Sequence, residues 1–312
     1  MIVPGGAVAG VDVRGGGPGT RETDALDPRN LVDRINAICL AGGSAYGLAA
    51  ADGVMEYLEA RQLGVPVGPE PHQVVPVVPT AVIFDLGRGG DFGHRPDRIF
   101  GLRAAKAARI NAARGTVGAG TGARAGGLQG GVGMASTTIE IDRATVTIAA
   151  LAVVNASGSL LSPTTGLPWS RPKSLRRPSP HEKAGLRAVL EAAKSPPLNT
   201  TIGVVATDAA LTRPESGRLA QSAHDGLARA VRPAHSLMDG DTVFGLATGV
   251  HELGSLDAGI VGGVSSRASH LNLLSAAAAD AFESACVDAV LTAVSLGSAH
   301  SYRDLCPSAF RS

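Results

Sequence analysis

Apolar positions along this chain recur with two periods, every second residue in some stretches and every third or fourth in others, so strands and helices alternate. Residues 7–14 alternate as a short strand and stop at the turn Gly15-Gly16-Gly17-Pro18-Gly19. Residues 35–40 form a buried apolar run. It passes through Ala41-Gly42-Gly43 into a helix expected from about Ser44 to Arg61, with Leu48, Met55 and Leu58 on one face. Two β-rich segments follow at 74–78 and 81–86, then a basic helix at 98–114 and a glycine tract at 115–133. Runs at 132–141 and 145–154 read as a hairpin joined around Asp142-Arg143.

The pattern changes between 157 and 198. Prolines at 163, 168, 172, 178, 180, 196 and 197 are mixed with Ser, Lys and Arg, and only 182–194 reads as helix. This composition predicts a mobile linker. Beyond it lie a strand at 201–207, a helix at 215–231, a strand at 242–248 and an Ala-rich helix at 271–294. That last helix is apolar on most sides, which predicts a position sandwiched inside the fold. Strict βαβ alternation is missing, so a layered α+β sandwich fits better than a doubly wound sheet.

Composition narrows the function classes. A net charge of +1 with scattered basic residues, and 3% aromatics, offer neither a phosphate-binding stripe nor a base-stacking groove, so nucleic acid is not an expected partner. Three cysteines (Cys39, Cys286, Cys306) without a C-x-x-C pair argue against a disulfide framework and a structural zinc site. The eight histidines have no metal-ligand spacing, so a metalloenzyme is not expected; no organic cofactor is expected either. The start, Met1-Ile2-Val3-Pro4-Gly5-Gly6, has no secretory n- or h-region and no long apolar run spans a membrane, so a cytoplasmic location is expected.

Candidate chemistry gathers at strand ends. Asn199-Thr200-Thr201 stands where the Pro-rich segment turns into the strand Ile202-Gly203-Val204-Val205. A threonine there is either a structural polar group or a nucleophile; cutting the Asn199–Thr200 bond would give Thr200 an α-amine as its own base. Met238-Asp239-Gly240-Asp241-Thr242 puts two carboxyl groups before another strand, a pattern that is also an ordinary solvated turn. Asn155 ends the strand before Ala156-Ser157-Gly158 and is either a turn residue or an amide donor. Together these supply a nucleophile, carboxyl groups and an oxyanion donor, the requirements of acyl transfer. Two other motifs fail. Gly118-Ala119-Gly120-Thr121-Gly122 lacks the dinucleotide register, with Ala123 at the third glycine position. Gly43-Ser44-Ala45-Tyr46-Gly47 has bulky Tyr46 where a nucleophile elbow needs glycine, which leaves Ser44 as an expected helix N-cap.

Five separated runs resemble the L-aminopeptidase D-amidase/esterase family, which includes β-aminopeptidases and the nylon-oligomer endohydrolase. They are Gly6-Ala7-Val8-Ala9-Gly10-Val11-Asp12-Val13-Arg14-Gly15-Gly16, Leu40-Ala41-Gly42-Gly43-Ser44-Ala45-Tyr46-Gly47-Leu48, Pro79-Thr80-Ala81-Val82-Ile83-Phe84-Asp85, Asn199-Thr200-Thr201-Ile202 and Met238-Asp239-Gly240-Asp241-Thr242-Val243-Phe244. The resemblance implies a four-layer αββα sandwich, similar to N-terminal-nucleophile hydrolases and ornithine acetyltransferases. It implies a single catalytic domain over 1–312, self-cut between Asn199 and Thr200 into a 1–199 α chain and a 200–312 β chain, with 157–198 as the linker before the cut. Thr200 would be the nucleophile, Asp239 and Asp241 its orienting partners, Asn155 an oxyanion donor and Tyr46 a pocket residue. The threonine and the Asp-Gly-Asp pattern resemble the nylon-hydrolase branch most.

Departures from the family pattern qualify the substrate. A lysine common among relatives aligns with Gly127, and the β-aminopeptidases' amine-binding Glu has no counterpart after Pro76-Val77-Val78 before Asp85. An N-terminal strand pair of the relatives is absent from the sequence. The expected function is hydrolysis of linear amides, either aminohexanoate-type oligomers or short peptides, through an acyl-enzyme in a tetramer of αβ units. The alternatives are a β-aminopeptidase-type enzyme, an acyltransferase passing the acyl group to an amine, and an uncut binding protein.

Overall fold

Alternating apolar residues need a neighbouring layer on each buried face, and three buried clusters show how this chain supplies them. The structure, a computed structural model, describes residues 1–170, 172–192, 198–254 and 266–310. In its first half β1 is Ile2–Val13, β2 Ile35–Ala37, β3 Cys39–Ala41, α1 Ala50–Glu59, β4 Thr80–Val82 and α2 Arg98–Ala107. Then come β5 (Gly131–Ile141), β6 (Ala144–Asn155), α3 (Pro180–Ala192), β7 (Thr200–Ala209), α4 (Arg213–Ala230), β8 (Thr242–His251) and α5 (Ser266–Thr292).

The long strands form one sheet in the order β5-β6-β7-β8-β1-β2. All neighbours are antiparallel except β7 and β8, whose parallel pairing is made possible by the α4 crossover. The β5–β6 hairpin turns at Asp142-Arg143 as the sequence predicts, with Asp142 left-handed at φ 54°. On one face Ile148, Val205 and Val243 pack against Leu219 and Ala223 of α4 and Phe282 and Ala285 of α5. On the other, Ile202, Val204, Phe244 and Leu246 meet Ile38, Ala81 and Ile83. These belong to or flank a small second sheet, in which β4 pairs with β3 in parallel and with Thr20–Arg21 antiparallel. Val54 and Leu58 of α1 close the far side over Cys39, Ala41 and Val82. The layers therefore run helix, sheet, sheet, helix. The described residues hold no helix long and apolar enough to cross a membrane.

Several elements differ from expectation. The expected helix from Ser44 starts as a 3-10 turn, Ser44–Ala49, and becomes α-helical only at Ala50. Ser44 is not an N-cap: it is itself left-handed at φ 52°, follows left-handed Gly43, and its side chain makes no capping bond. The basic helix ends at Ala107 rather than Arg114; beyond it Ile110 is left fully exposed, so the segment buries no apolar face that would hold a helix there. Helix α5 is an outer-layer helix rather than a sandwiched one, covering β5, β6 and α4 and leaving Leu273 exposed.

The expected mobile linker is, in its described part, packed. Leu160, Leu161, Leu167, Leu175 and Leu186 are buried in the helix-side core. Ser159 exchanges backbone bonds with Arg232, and the Trp169 indole donates to Ser159 O at 2.9 Å. Leucines spaced among prolines were its anchors, because each buries apolar area that no composition average registers.

Cys39, Cys286 and Cys306 are free thiols, all buried. Burial pushes each above the usual thiol range, Cys306 up to about 12. Since the thiolate is the reactive form, the native protein is expected to resist maleimide at mildly alkaline pH, whereas the denatured protein takes up three adducts in all by mass spectrometry.

Candidate active site

The two-residue period of β6 and β7 decides which polar side chains meet. Ile202 and Val204 point between the sheets, so Thr200 does as well, whereas Thr201 falls on the helix side with Val205. Asn155 shares the inter-sheet side with Val153 and is the register partner of Thr200. Both are buried.

The Thr200 hydroxyl is hydrogen-bonded to the carbonyl of Asn199, the residue before it. The Gly240 N–H lies 3.2 Å from the Thr200 Oγ1 and 3.2 Å from the Asn199 O. One backbone donor thus serves both the Thr200 hydroxyl and the carbonyl on which it rests. Glycine is required there, since a Cβ would sit 2.6 Å from Gly17 O and 2.9 Å from Thr200 Oγ1. The turn is pinned by Gly17 N–H to Asp239 O at 2.8 Å and Arg14 N–H to Asp241 O at 2.9 Å.

The two aspartates bracket the Asn199–Thr200 bond without touching the hydroxyl. Asp241 Oδ1 accepts from Thr201 N–H at 2.7 Å; its Oδ2 accepts from His235 N–H at 3.2 Å and meets His235 Nδ1 at 2.9 Å. Asp239 Oδ2 accepts from Ser236 N–H and Oγ at 3.0 and 2.6 Å. Its Oδ1 accepts from Ser157 Oγ at 3.0 Å, and Ser157 in turn accepts from Asn199 Nδ2 at 3.0 Å.

Asn155 donates from Nδ2 to Phe84 O at 3.1 Å. Its Oδ1 accepts from Arg88 Nη1 at 2.5 Å and Arg124 N–H at 2.9 Å. Arg88 also donates from Nη2 to Leu198 O at 2.5 Å and Asn199 Oδ1 at 3.2 Å. Burial lowers the Arg88 pKa to about 10. A cavity of about 130 Å³ opens beside Thr200, lined by Ser44, Ala45, Phe84, Leu198 and Asn199 among others. Tyr46 itself is 57% exposed with its ring 3.8 Å from the Arg95 guanidinium. The structure therefore brings Asn155, Asn199, Thr200, Asp239 and Asp241 together, and places Tyr46's neighbours, rather than Tyr46, on the cavity wall.

Sequence reading missed Arg88, Ser157, His235 and the Gly240 amide. An arginine after a strand, a serine in a turn and a backbone N–H carry no motif. His235 alone left a trace, standing four residues before Asp239 in a loop otherwise read as solvated. Among the described residues no set of three His, Cys, Asp or Glu side chains could hold a metal ion.

Behind Asp241 lies a second histidine. His224 is fully buried, its Nε2 3.0 Å from Asp12 O and its ring edge-on to His235 at 4.9 Å. Burial, the main cause, lowers its pKa. Below pH ~6.5 the unfolded chain takes up a proton that folded His224 refuses, so folded stability falls as pH drops from that value towards the folded pKa. The melting temperature is expected to decline between pH 7 and 5, and less steeply in His224→Gln, which keeps an N–H for Asp12 O. An equal slope in both proteins would assign the decline to other groups.

The model of peptidase family S58 matches residues 1–303. The chain belongs to peptidase family S58. An uncharacterized aminopeptidase of Mycobacterium tuberculosis is 49% identical to this S58 chain over 318 residues, covering 100% of it and 90% of the relative. The 6-aminohexanoate-oligomer endohydrolase of a Kocuria species is 30% identical over 264 residues, covering 79% of the chain and 67% of the relative. The solved L-aminopeptidase D-Ala-esterase/amidase of Ochrobactrum anthropi, described as a variant of the Ntn hydrolase fold, superposes with a TM-score of 0.62 at 21% identity. That superposition covers 92% of this chain and 74% of that one. The S58 chain thus has an Ntn-hydrolase-like α+β sandwich fold and is a hydrolase of amide or peptide bonds.

Proposed function

We propose that this S58 peptidase is an N-terminal threonine amidohydrolase that makes its own nucleophile by cutting Asn199–Thr200. The observation that carries the reading is the Thr200 hydroxyl resting on the Asn199 carbonyl with the Gly240 N–H on both oxygens. Attack of Oγ1 on that carbonyl carbon forms an ester as the Asn199–Thr200 C–N bond breaks and the nitrogen takes the hydroxyl proton. Water then hydrolyses the ester, leaving a carboxylate on Asn199 and a free amine on Thr200. Negative charge developing on the Asn199 oxygen meets the Gly240 donor.

The new α-amine has an ordinary pKa of ~8, well matched to accepting the hydroxyl proton during attack on a substrate amide. The leaving amine takes that proton, and water releases the acyl group from Thr200. The substrate would be a linear amide, either an oligomer of aminohexanoate type or a short peptide. The 1–199 and 200–312 chains would stay together, because β7 and β8 sit mid-sheet between β6 and β1 and losing one peptide bond removes none of that pairing.

Intact-mass analysis tests the reading. Wild type is expected to show two masses divided after Asn199 under denaturing conditions and one assembly under native conditions. A wild type that hydrolyses amides while remaining a single chain overturns the mechanism.

A further inference from the structure

The acyl side of the Asn199–Thr200 bond is held by a cation. Arg88 grips two oxygens of the segment before the cut, Leu198 O at 2.5 Å and Asn199 Oδ1 at 3.2 Å. It lies 5.6 Å from the Phe84 ring, which lines the cavity beside Thr200. Arg124 stands near enough to act on the Arg88 charge, and its own backbone N–H is fixed on Asn155 Oδ1 at 2.9 Å. Among the described residues the Arg124 guanidinium has no hydrogen bond or ion pair, although it is partly buried. The carboxyl group that acts on Arg88 is Asp85, which accepts from Gly43 N–H at 2.6 Å and is itself pushed up by burial. Through its bonds to Leu198 and Asn199, which line the cavity, Arg88 places a guanidinium at the cavity's edge.

In the uncut chain, Asn199 is the acyl unit that Thr200 attacks. Any substrate acylating the same oxygen brings its own acyl unit into these surroundings once Asn199 has moved away. We propose that Arg88, backed by Arg124, is the acyl-side specificity subsite. Its preferred substrate is an N-acylated linear amide whose acyl unit carries a carboxylate. The N-acyl oxygen takes the place of Leu198 O and the carboxylate that of Asn199 Oδ1, where a guanidinium fork binds an anion better than a neutral amide. A free α-amine on the acyl unit would instead face like charge. The inference rests on the proposed Thr200 mechanism and adds the substrate class to it.

The test uses self-cleaved wild type and four p-nitroanilides: N-acetyl-aspartyl, N-acetyl-asparaginyl, N-acetyl-leucyl and unblocked leucyl. The aspartyl compound is expected to have the highest kcat/KM, on the order of tenfold above N-acetyl-leucyl, as for a charge-assisted hydrogen bond. Unblocked leucyl is expected to be the poorest. In Arg124→Gln, checked by mass for division after Asn199, the aspartyl-to-leucyl ratio is expected to fall, with Arg88 retaining part of the preference. A second measurement needs no variant: N-acetyl-aspartate should inhibit wild type competitively, and about tenfold more tightly than N-acetyl-leucine. Equal rates for the acetylated substrates, a preference for the unblocked one, or an aspartyl preference unchanged in Arg124→Gln would each overturn the subsite. A wild type that never divides after Asn199 defeats the Thr200 mechanism instead, whereas a divided, active enzyme without this preference removes only the arginine subsite.

Discussion

Thr200→Ala is expected to purify as one uncut chain and to hydrolyse amides at least ~10⁴-fold more slowly than wild type, the scale seen when a nucleophile is removed. The substitution deletes the oxygen that rests on the Asn199 carbonyl and leaves the β7 ladder as it is. The lost hydroxyl bonds Asn199 O and Gly240 N–H, which also bond each other, so the melting temperature should move little. Thr200→Ser restores an oxygen at the same atom position and is expected to recover both the cut and part of the activity. Mass spectrometry and amide hydrolysis on the three proteins give the result. Full activity in Thr200→Ala would remove Thr200 from the chemistry.

Asp241→Asn should be the second most damaging change. The Asp241 carboxyl is buried and accepts from Thr201 N–H on one oxygen and from His235 N–H on the other, besides meeting His235 Nδ1. An amide in its place must turn its NH₂ towards one of those N–H donors, leaving a donor unpaired in the interior. That costs about 1–3 kcal/mol of stability. It also displaces the residue after Thr200, the proposed nucleophile, and misplaced reacting groups can lose about 10²-fold in rate. Slower division after Asn199 and a lower melting temperature are therefore expected together. Asp239→Asn should be milder, because two of its three partners are the hydroxyls of Ser236 and Ser157, which can rotate to accept. Division of Asp241→Asn at the wild-type rate would show that this carboxyl does not position the cut.

Much of the fold was legible because it is written in local periods. The β5–β6 hairpin, β7, α4 and β8 follow from alternation, helical spacing and turn residues within each segment. The 157–198 segment was misread for the opposite reason. Its prolines are conspicuous locally, whereas the value of Leu160, Leu167 and Leu186 depends on a core built from distant residues. Ser44 was likewise read as a cap from its type alone, but its left-handed backbone follows from how β3 enters the turn beside Gly43.

The site divides along the same line. That Thr200 and Asp241 stand at the mouths of strands was visible in sequence, and so was the chemistry their side chains can do. Which threonine points between the sheets is settled by the parity of β7 against its buried neighbours Ile202 and Val204. That Asp241 touches Thr201 and His235 rather than the Thr200 hydroxyl is a tertiary fact. So is the Arg88 grip on a segment 110 residues away in sequence. Side-chain type and strand period act over a few bonds and are read directly. Hydrogen bonds between separate strands and loops exist only once packing has set the distances, and here that packing decides how Thr200 meets the carbonyl of its own chain.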